Sequence, residues 1–177
     1  SSDVARAVYD GADAVMLSAE SAAGKYPREA VAMMDRIIRE TEQSSHYKQS
    51  PASGGGPATG SDAISTAACQ VAETIGAKSI VTHTRSGRTA QRASRERPLV
   101  PIVMVTPEKK TARQHTIVWG LHCAVVEDME TLDQVVDAAR QIAISEGFGG
   151  EGDQVVLTAG VPFGQVGQTN LLRLLRL

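Results

Sequence analysis

The sequence predicts an α/β fold: an open, mostly parallel five-stranded sheet flanked by helices, with the last strand antiparallel at an edge and a separate strand-loop-helix unit in front. Three observations carry this. From Ser61 onward, short β-branched runs alternate with segments of helical apolar spacing, the pattern of a parallel sheet covered on both faces. The final apolar run, TNLLRLL, follows a loop of about ten residues, too short for a crossover helix, and so must return antiparallel. Residues 46–60 are rich in Gly, Pro and Ser without apolar periodicity and read as a flexible linker between two parts of the chain.

The first part, residues 1–45, contains Ala14, Val15, Met16 and Leu17 as a continuous apolar run, which suits a strand buried on both faces in a parallel sheet or barrel. SAESAAGK follows as a loop. Pro27 then opens a helix on which Ala30, Met34, Ile37, Ile38 and Thr41 share a face. One strand and one helix cannot bury that strand alone, so it is expected to be disordered, displaced or docked elsewhere. The chain starts at Ser1 without an initiator Met, which fits a cleaved or trimmed product.

In the second part, residues 61–177, Ser61 is positioned to cap a helix bearing Ile64, Ala68, Val71 and Ile75 and closed by Gly76. Strand SIVTHT follows, then a helix from Gly87 to Arg97, strand IVMVT, a helix from Lys109 to Val118 and strand HCAVVE. The segment from Thr131 to Glu146 places Leu132, Val135, Val136, Ala139, Ile142 and Ala143 on one face of a helix, and strand QVVLT, a glycine-rich loop and the last strand complete the set.

Composition restricts the function. The 177 residues carry a formal net charge of -2, with 42% hydrophobic and 21% charged residues, an ordinary globular balance. One Trp, three Tyr and two Phe give little to stack on single-stranded nucleic acid. No apolar run approaches the ~20 residues of a membrane span, and no signal layout opens the chain, which leaves the cytoplasm as the expected compartment. Cys69 and Cys123 lack metal-ligand spacing and read as free thiols, and His46, His83, His115 and His122 show neither metal spacing nor a nucleophile partner.

Within this nearly neutral chain, positive charge is local. Arg85, Arg88, Arg92, Arg95 and Arg97 fall in VTHTRSGRTAQRASRERP with Glu96 as the one acid among them. Thr84, Arg85, Ser86, Gly87, Arg88 and Thr89 join a strand to a helix start, where hydroxyls, backbone N–H groups and the helix dipole can surround a phosphate. A solvated helix face or interface ion pairs would explain the same arginines, and suit Arg92, Arg95 and Arg97 better. Gly160, Gly164 and Gly167 follow a strand, but no helix comes after them, so they read as a ligand-covering loop or an edge hairpin and not as a dinucleotide fingerprint. Ser18, Glu20, Ser21 and Lys25 lie beyond the first strand, where a barrel site could use them in chemistry, but helix capping and a surface ion pair explain them more simply.

Four ordered stretches resemble pyruvate kinase. SSDVARAVYDGADAVMLSAESAAGKYPREAV is similar to the family's final barrel strand and helix, THTRSGRTAQRASRERPLVPIVMVTP to its TxSGRTAxxxSxxRPxxPIxAxT, KKTARQHTIVWGLHCAVV to its KTARxLxLxWGV, and LTAGVPFGQVGQTNLLRL to its closing TxGxPxGxxGxTNxxxV. The resemblance implies a fragment of a (β/α)8 barrel ahead of the family's C-terminal α/β domain. It also implies that the catalytic lysine and the acidic magnesium ligands lie outside this chain, so that no catalytic or metal-binding residue is expected here. Magnesium and potassium would belong to the full-length enzyme.

By the same resemblance, Thr84 to Thr89 hold an effector phosphate, the loop from Gly160 to Thr169 closes over it, and the full-length form is a homotetramer. Ala19 and Ser21 depart from the family's Gly and Thr. Asp128 to Ala139 contains no Trp or Arg for a second phosphate, which points to a sugar monophosphate or AMP over fructose 1,6-bisphosphate. A free-standing phosphometabolite sensor and a ligand-free interaction protein are the alternatives.

Overall fold

The computed structural model describes residues 2–44, 47, 59–163 and 168–177. The chain divides into two compact units, Ser1–Ser53 and Gly54–Leu177.

In the first unit, helices α1 (Ser2–Tyr9), α2 (Ala19–Ala22) and α3 (Pro27–Gln43) surround a small apolar seam. Pro27 occupies the first turn of α3, where its missing N–H costs nothing. Thr41 is buried and donates to the Ile37 carbonyl at 2.7 Å, while Ala30, Met34, Ile37 and Ile38 are half-buried on the expected face. The strand expected at Ala14 to Leu17 does not form: these residues are irregular and Met16 is 88% exposed. A strand needs a ladder partner for its N–H and C=O groups, and none exists among the described residues of this unit. Helix α1, absent from the sequence reading, buries Val8 instead, and an Arg6–Asp10 ion pair of 2.8 Å joins successive turns at its end.

In the second unit the chain runs α4 (Gly60–Ile75), β1 (Ser79–His83), α5 (Arg88–Arg95), β2 (Ile102–Thr106), α6 (Lys109–His115), β3 (Leu121–Val125), α7 (Leu132–Ser145), β4 (Gln154–Ala159) and β5 (Leu171–Arg176). The sheet order is β3-β2-β1-β4-β5. The first four strands are parallel, and β5 pairs antiparallel with β4 at the edge, Thr158 opposite Leu172. Every residue of β1 and β2 is buried, as central strands of a sheet covered on both faces are, the polar Ser79, Thr82, His83 and Thr106 included.

One face packs Val81, Val103, Val105, Val155 and Leu157 against Val135, Val136, Ala139 and Ala143 of α7. On the other face Ile80 and Val156 meet Ala68, Cys69 and Ala72 of α4, and Met104 meets Ala90 of α5 and Ala112 of α6. The expected cap of α4 is corrected: Thr59, not Ser61, is the N-cap. Its Oγ1 accepts from the Asp62 N–H (3.2 Å) and Asp62 Oδ2 accepts from the Thr59 N–H (2.9 Å), a reciprocal box. Ser61 Oγ accepts from the Thr169 N–H at 2.9 Å.

From β1 the chain steps outward through β2 to β3, then returns across the opposite face through α7 to β4. The order therefore reverses between β1 and β4, and in open α/β sheets such a reversal places a ligand crevice outside the carboxyl ends of the two strands.

Candidate functional site

The loop leaving β1 is built around Gly87. Its φ of 79° lies in the left-handed region, and a Cβ there would collide with the imidazole of His115 on α6. The Gly87 N–H donates to Thr84 Oγ1 (3.1 Å) and the Thr84 N–H to the Val105 carbonyl (3.1 Å), which pins the turn to the end of β2. Helix α6 braces it from the side: Thr111 Oγ1 donates to the Arg85 carbonyl at 2.9 Å, and His115 Nδ1 lies 2.7 Å from the Thr111 carbonyl. The first-turn N–H groups of α5, at Arg88 and Thr89, have no partner within the helix and carry its positive dipole end.

The loop leaving β4 meets this turn. Thr89 Oγ1 and Thr169 Oγ1 are 2.8 Å apart, and both residues are buried. Gly160 admits the Gln168 carbonyl where a Cβ would clash. Asn170 closes the loop's neck, its Oδ1 accepting from the Val161 N–H (2.8 Å) and its Nδ2 donating to the Val161 carbonyl (2.6 Å). Phe163 lies edge-on to His83 with ring centroids 5.5 Å apart. Of the glycines named for this loop, Gly164 and Gly167 lie outside the described residues, as does nearly all of the 46–60 linker.

The arginines that are close in sequence separate in function. Arg92 and Arg95 both pair with Asp62 on α4, at 3.1 and 3.0 Å, and Arg97 lies 4.7 Å over the Trp119 ring. Arg85 is clamped between Glu108, at the N-cap of α6 (3.2 Å), and Asp128, in the loop after β3. Only Arg88 among them is exposed with no acid beside it among the described residues. The stretch that carries a single acid in sequence is faced in space by Asp62, Glu108 and Asp128, so most of its charge is already balanced.

Four residues that motif spacing did not single out complete the crevice: Glu108, Asp128, His83 and Phe163. The available signal was topological, because Glu108 and Asp128 begin the loops after β2 and β3 as Arg85 begins the loop after β1. His83 is 7% exposed, and burial pushes its pKa down, with Asp128 raising it and Arg85 lowering it further.

Elsewhere, Glu20 folds back so that its carboxylate accepts from the Ser18 N–H at 3.0 Å at the start of α2, while the Ser18 side chain itself makes no cap bond. Backbone N–H donors from Glu20 and Ser18 hold that carboxyl below its usual range. Burial pushes the Cys69 thiol up to about 12 and raises that of Cys123, which marks both as poor nucleophiles. No group of three or more His, Cys, Asp or Glu able to hold a metal occurs among the described residues, and no helix among them is long and apolar enough to cross a membrane.

Comparison with known proteins gives the lineage. A family model for the pyruvate kinase alpha/beta domain matches residues 62–175, and one for the pyruvate kinase barrel domain matches residues 1–31. The chain is 45% identical over 180 residues to a pyruvate kinase of Methylorubrum extorquens, which covers 98% of this chain and 37% of that relative. It is 45% identical over 177 residues to a pyruvate kinase of Agrobacterium vitis (97% and 37%) and 41% identical over 174 residues to that of Geobacillus stearothermophilus (97% and 30%). It thus spans 37% or less of the length of these relatives, but the alignment runs through both units. With the α/β domain matched across most of its length and a barrel portion ahead of it, the chain belongs to the pyruvate kinase family.

Proposed function

We propose that this chain is the C-terminal regulatory and oligomerisation segment of a pyruvate kinase, an enzyme of the cytoplasm that moves a phosphoryl group from phosphoenolpyruvate to ADP. In this reading residues 1–45 are the last strand and helix of the catalytic barrel, 46–60 a linker and 61–177 the effector-binding domain. The segment is inactive alone, because the catalytic lysine and the groups that hold magnesium and potassium belong to the rest of the barrel. In full length it assembles as a homotetramer.

Thr84, Arg85, Ser86, Gly87, Arg88 and Thr89 bind the phosphate of a sugar monophosphate or AMP, and Gly160, Gly164 and Gly167 belong to the loop that closes over it. The observation that carries the site is the Gly87 turn, which brings three hydroxyl-bearing residues, a helix N-terminus and an uncommitted Arg88 to the reversal of strand order. Arg85 would exchange its carboxylates for the phosphate. Both acids are exposed, and an exposed ion pair is worth only about 0–1 kcal/mol, so Arg85 leaves them at modest cost. The acid Asp128 stands at the start of the segment where a second phosphate would need a cation, which disfavours a bisphosphate.

Calorimetric titration with AMP, ribose 5-phosphate, glucose 6-phosphate and fructose 1,6-bisphosphate tests this. One of the monophosphates is expected to bind, and Arg88→Ala to weaken it. Absence of binding together with a changed oligomer mass in Arg88→Ala would make these residues an interface. In the full-length enzyme, Arg85→Ala should leave basal turnover near normal and blunt activation, on the scale of a 1–3 kcal/mol allosteric coupling (about 5- to 150-fold).

A further inference from the structure

His83 is the last residue of β1, one position before the phosphate-binding turn. Side chains alternate along a strand, so its imidazole shares the α7-side face with Val81 and stands at the carboxyl end of the sheet. It is 7% exposed, and its Nε2 is buried without a hydrogen-bond partner. Buried polar nitrogens are almost always paired in native proteins, so this one is unfinished. Three loops meet around the ring. Phe163 after β4 lies edge-on to it, the negative charge of Asp128 after β3 favours its protonated form, and the positive charge of Arg85 after β1, itself held by Glu108, opposes it.

We propose that His83 Nε2 is a proton-linked contact to the anion held by the turn after β1, so that the site takes up one proton as it fills and binds phosphoryl compounds more tightly as pH falls. The inference rests on the effector-site reading above and adds its pH response. With the site empty, burial and the Arg85 cation disfavour the imidazolium, while Asp128 favours it; the balance holds the ring neutral, below its ordinary 6.5. An entering dianion draws off the Arg85 cation and places negative charge beside Nε2. The ring then takes a proton from solvent and donates it in a hydrogen bond to the anion, and no other group changes hands.

The sign follows from linkage. Occupancy raises the His83 pKa above its value in the free chain, so affinity climbs as pH falls between the two values and levels off below the lower one. For one proton the slope cannot exceed about tenfold per pH unit.

The test uses the 177-residue chain with two probes, sulfate, whose charge is constant over this range, and ribose 5-phosphate. Calorimetry between about pH 6 and pH 8, in buffers of different ionisation enthalpy, measures affinity and proton uptake together. Sulfate is expected to bind roughly three- to tenfold more tightly at the acid end, with a fraction of a proton taken up, and His83→Gln to bind with no such slope. NMR titration of the His83 ring in the unaltered chain, with and without sulfate, needs no variant and should show an upward shift on binding. A slope retained in His83→Gln, or a ring titration unmoved by sulfate, overturns the inference while leaving the site in place. Failure of both probes to bind at any pH overturns the site reading and this inference with it.

Discussion

Arg85 illustrates how a residue's sequence neighbours misstate its surroundings. It sits among arginines, yet its guanidinium answers to Glu108 and Asp128, which are 23 and 43 positions away. No local window contains those acids, so the electropositive loop was legible in the sequence and its neutralisation was not. Removing one acid should free the guanidinium for an incoming phosphate. Asp128→Asn is expected to tighten ribose 5-phosphate roughly two- to fivefold, the worth of one exposed ion pair, as calorimetry would read directly. Unchanged or weaker binding would mean that Asp128 orients Arg85 and does not compete for it. Gly87 was legible for a different reason, since a turn between strand and helix start calls for a residue free to adopt positive φ. Its second constraint, the His115 ring, comes from another helix and left no local trace. Gly87→Ala therefore faces both backbone strain and a collision, and should lower the urea midpoint by an amount equivalent to roughly 1–3 kcal/mol.

Among the elements, those whose burial is two-sided were the most legible. Strand β2 has the bounds read from IVMVT, because four buried apolar residues and a buried Thr106 between Pro101 and Pro107 permit little else. The apolar run at Ala14 to Leu17 looks similar and forms no strand, since a strand is a property of its neighbours as much as of its own side chains. Helix ends are decided by single hydrogen bonds. Thr59, Ser61 and Asp62 are all good cap residues, and only the fold shows Thr59 in that role while Ser61 ties down Thr169. Asp62 then serves two purposes: it completes the α4 box and accepts the ion pairs of Arg92 and Arg95 from α5. Hydrogen bonds from Thr59, ahead of the two arginines, hold its carboxyl at about 2 against an ordinary 3.8. A carboxyl depressed in the folded state stabilises the fold above its unfolded value and loses that contribution as pH falls through the folded one. Asp62→Ala should thus cost about 0.5–2 kcal/mol near neutrality, and the difference from the unaltered chain should shrink between about pH 4 and pH 2. Urea unfolding at several pH values measures it, and a pH-independent difference would assign the loss to packing.

At the scale of the whole α/β unit, the crevice exists because the strand order turns back on itself, and this part of the site follows from topology more than from any motif. The alternation of strands and helices made the parallel sheet legible, and the short last loop made the antiparallel β5 legible, but the order β3-β2-β1-β4-β5 depends on which face each crossover takes. Only that order brings Thr89 beside Thr169, 80 positions further along the chain. Something must then hold the two loops together, and the buried Thr89–Thr169 hydroxyl pair does so at 2.8 Å, supported by Ser61 on the Thr169 backbone. The pair's energetics should show a characteristic asymmetry. Replacing one hydroxyl by a methyl strands the other in a dry site, at a cost of about 1–3 kcal/mol, whereas replacing both leaves no orphan. Thr89→Val and Thr169→Val are each expected to destabilise the chain by about that amount, and the double variant by less than the sum of the two. A urea-denaturation double-mutant cycle reads the coupling, and strict additivity would show that each hydroxyl finds another partner. If the hydroxyl pair is what aligns the two loops, each single variant should also weaken ribose 5-phosphate, and the double variant should not regain that affinity even where it regains stability.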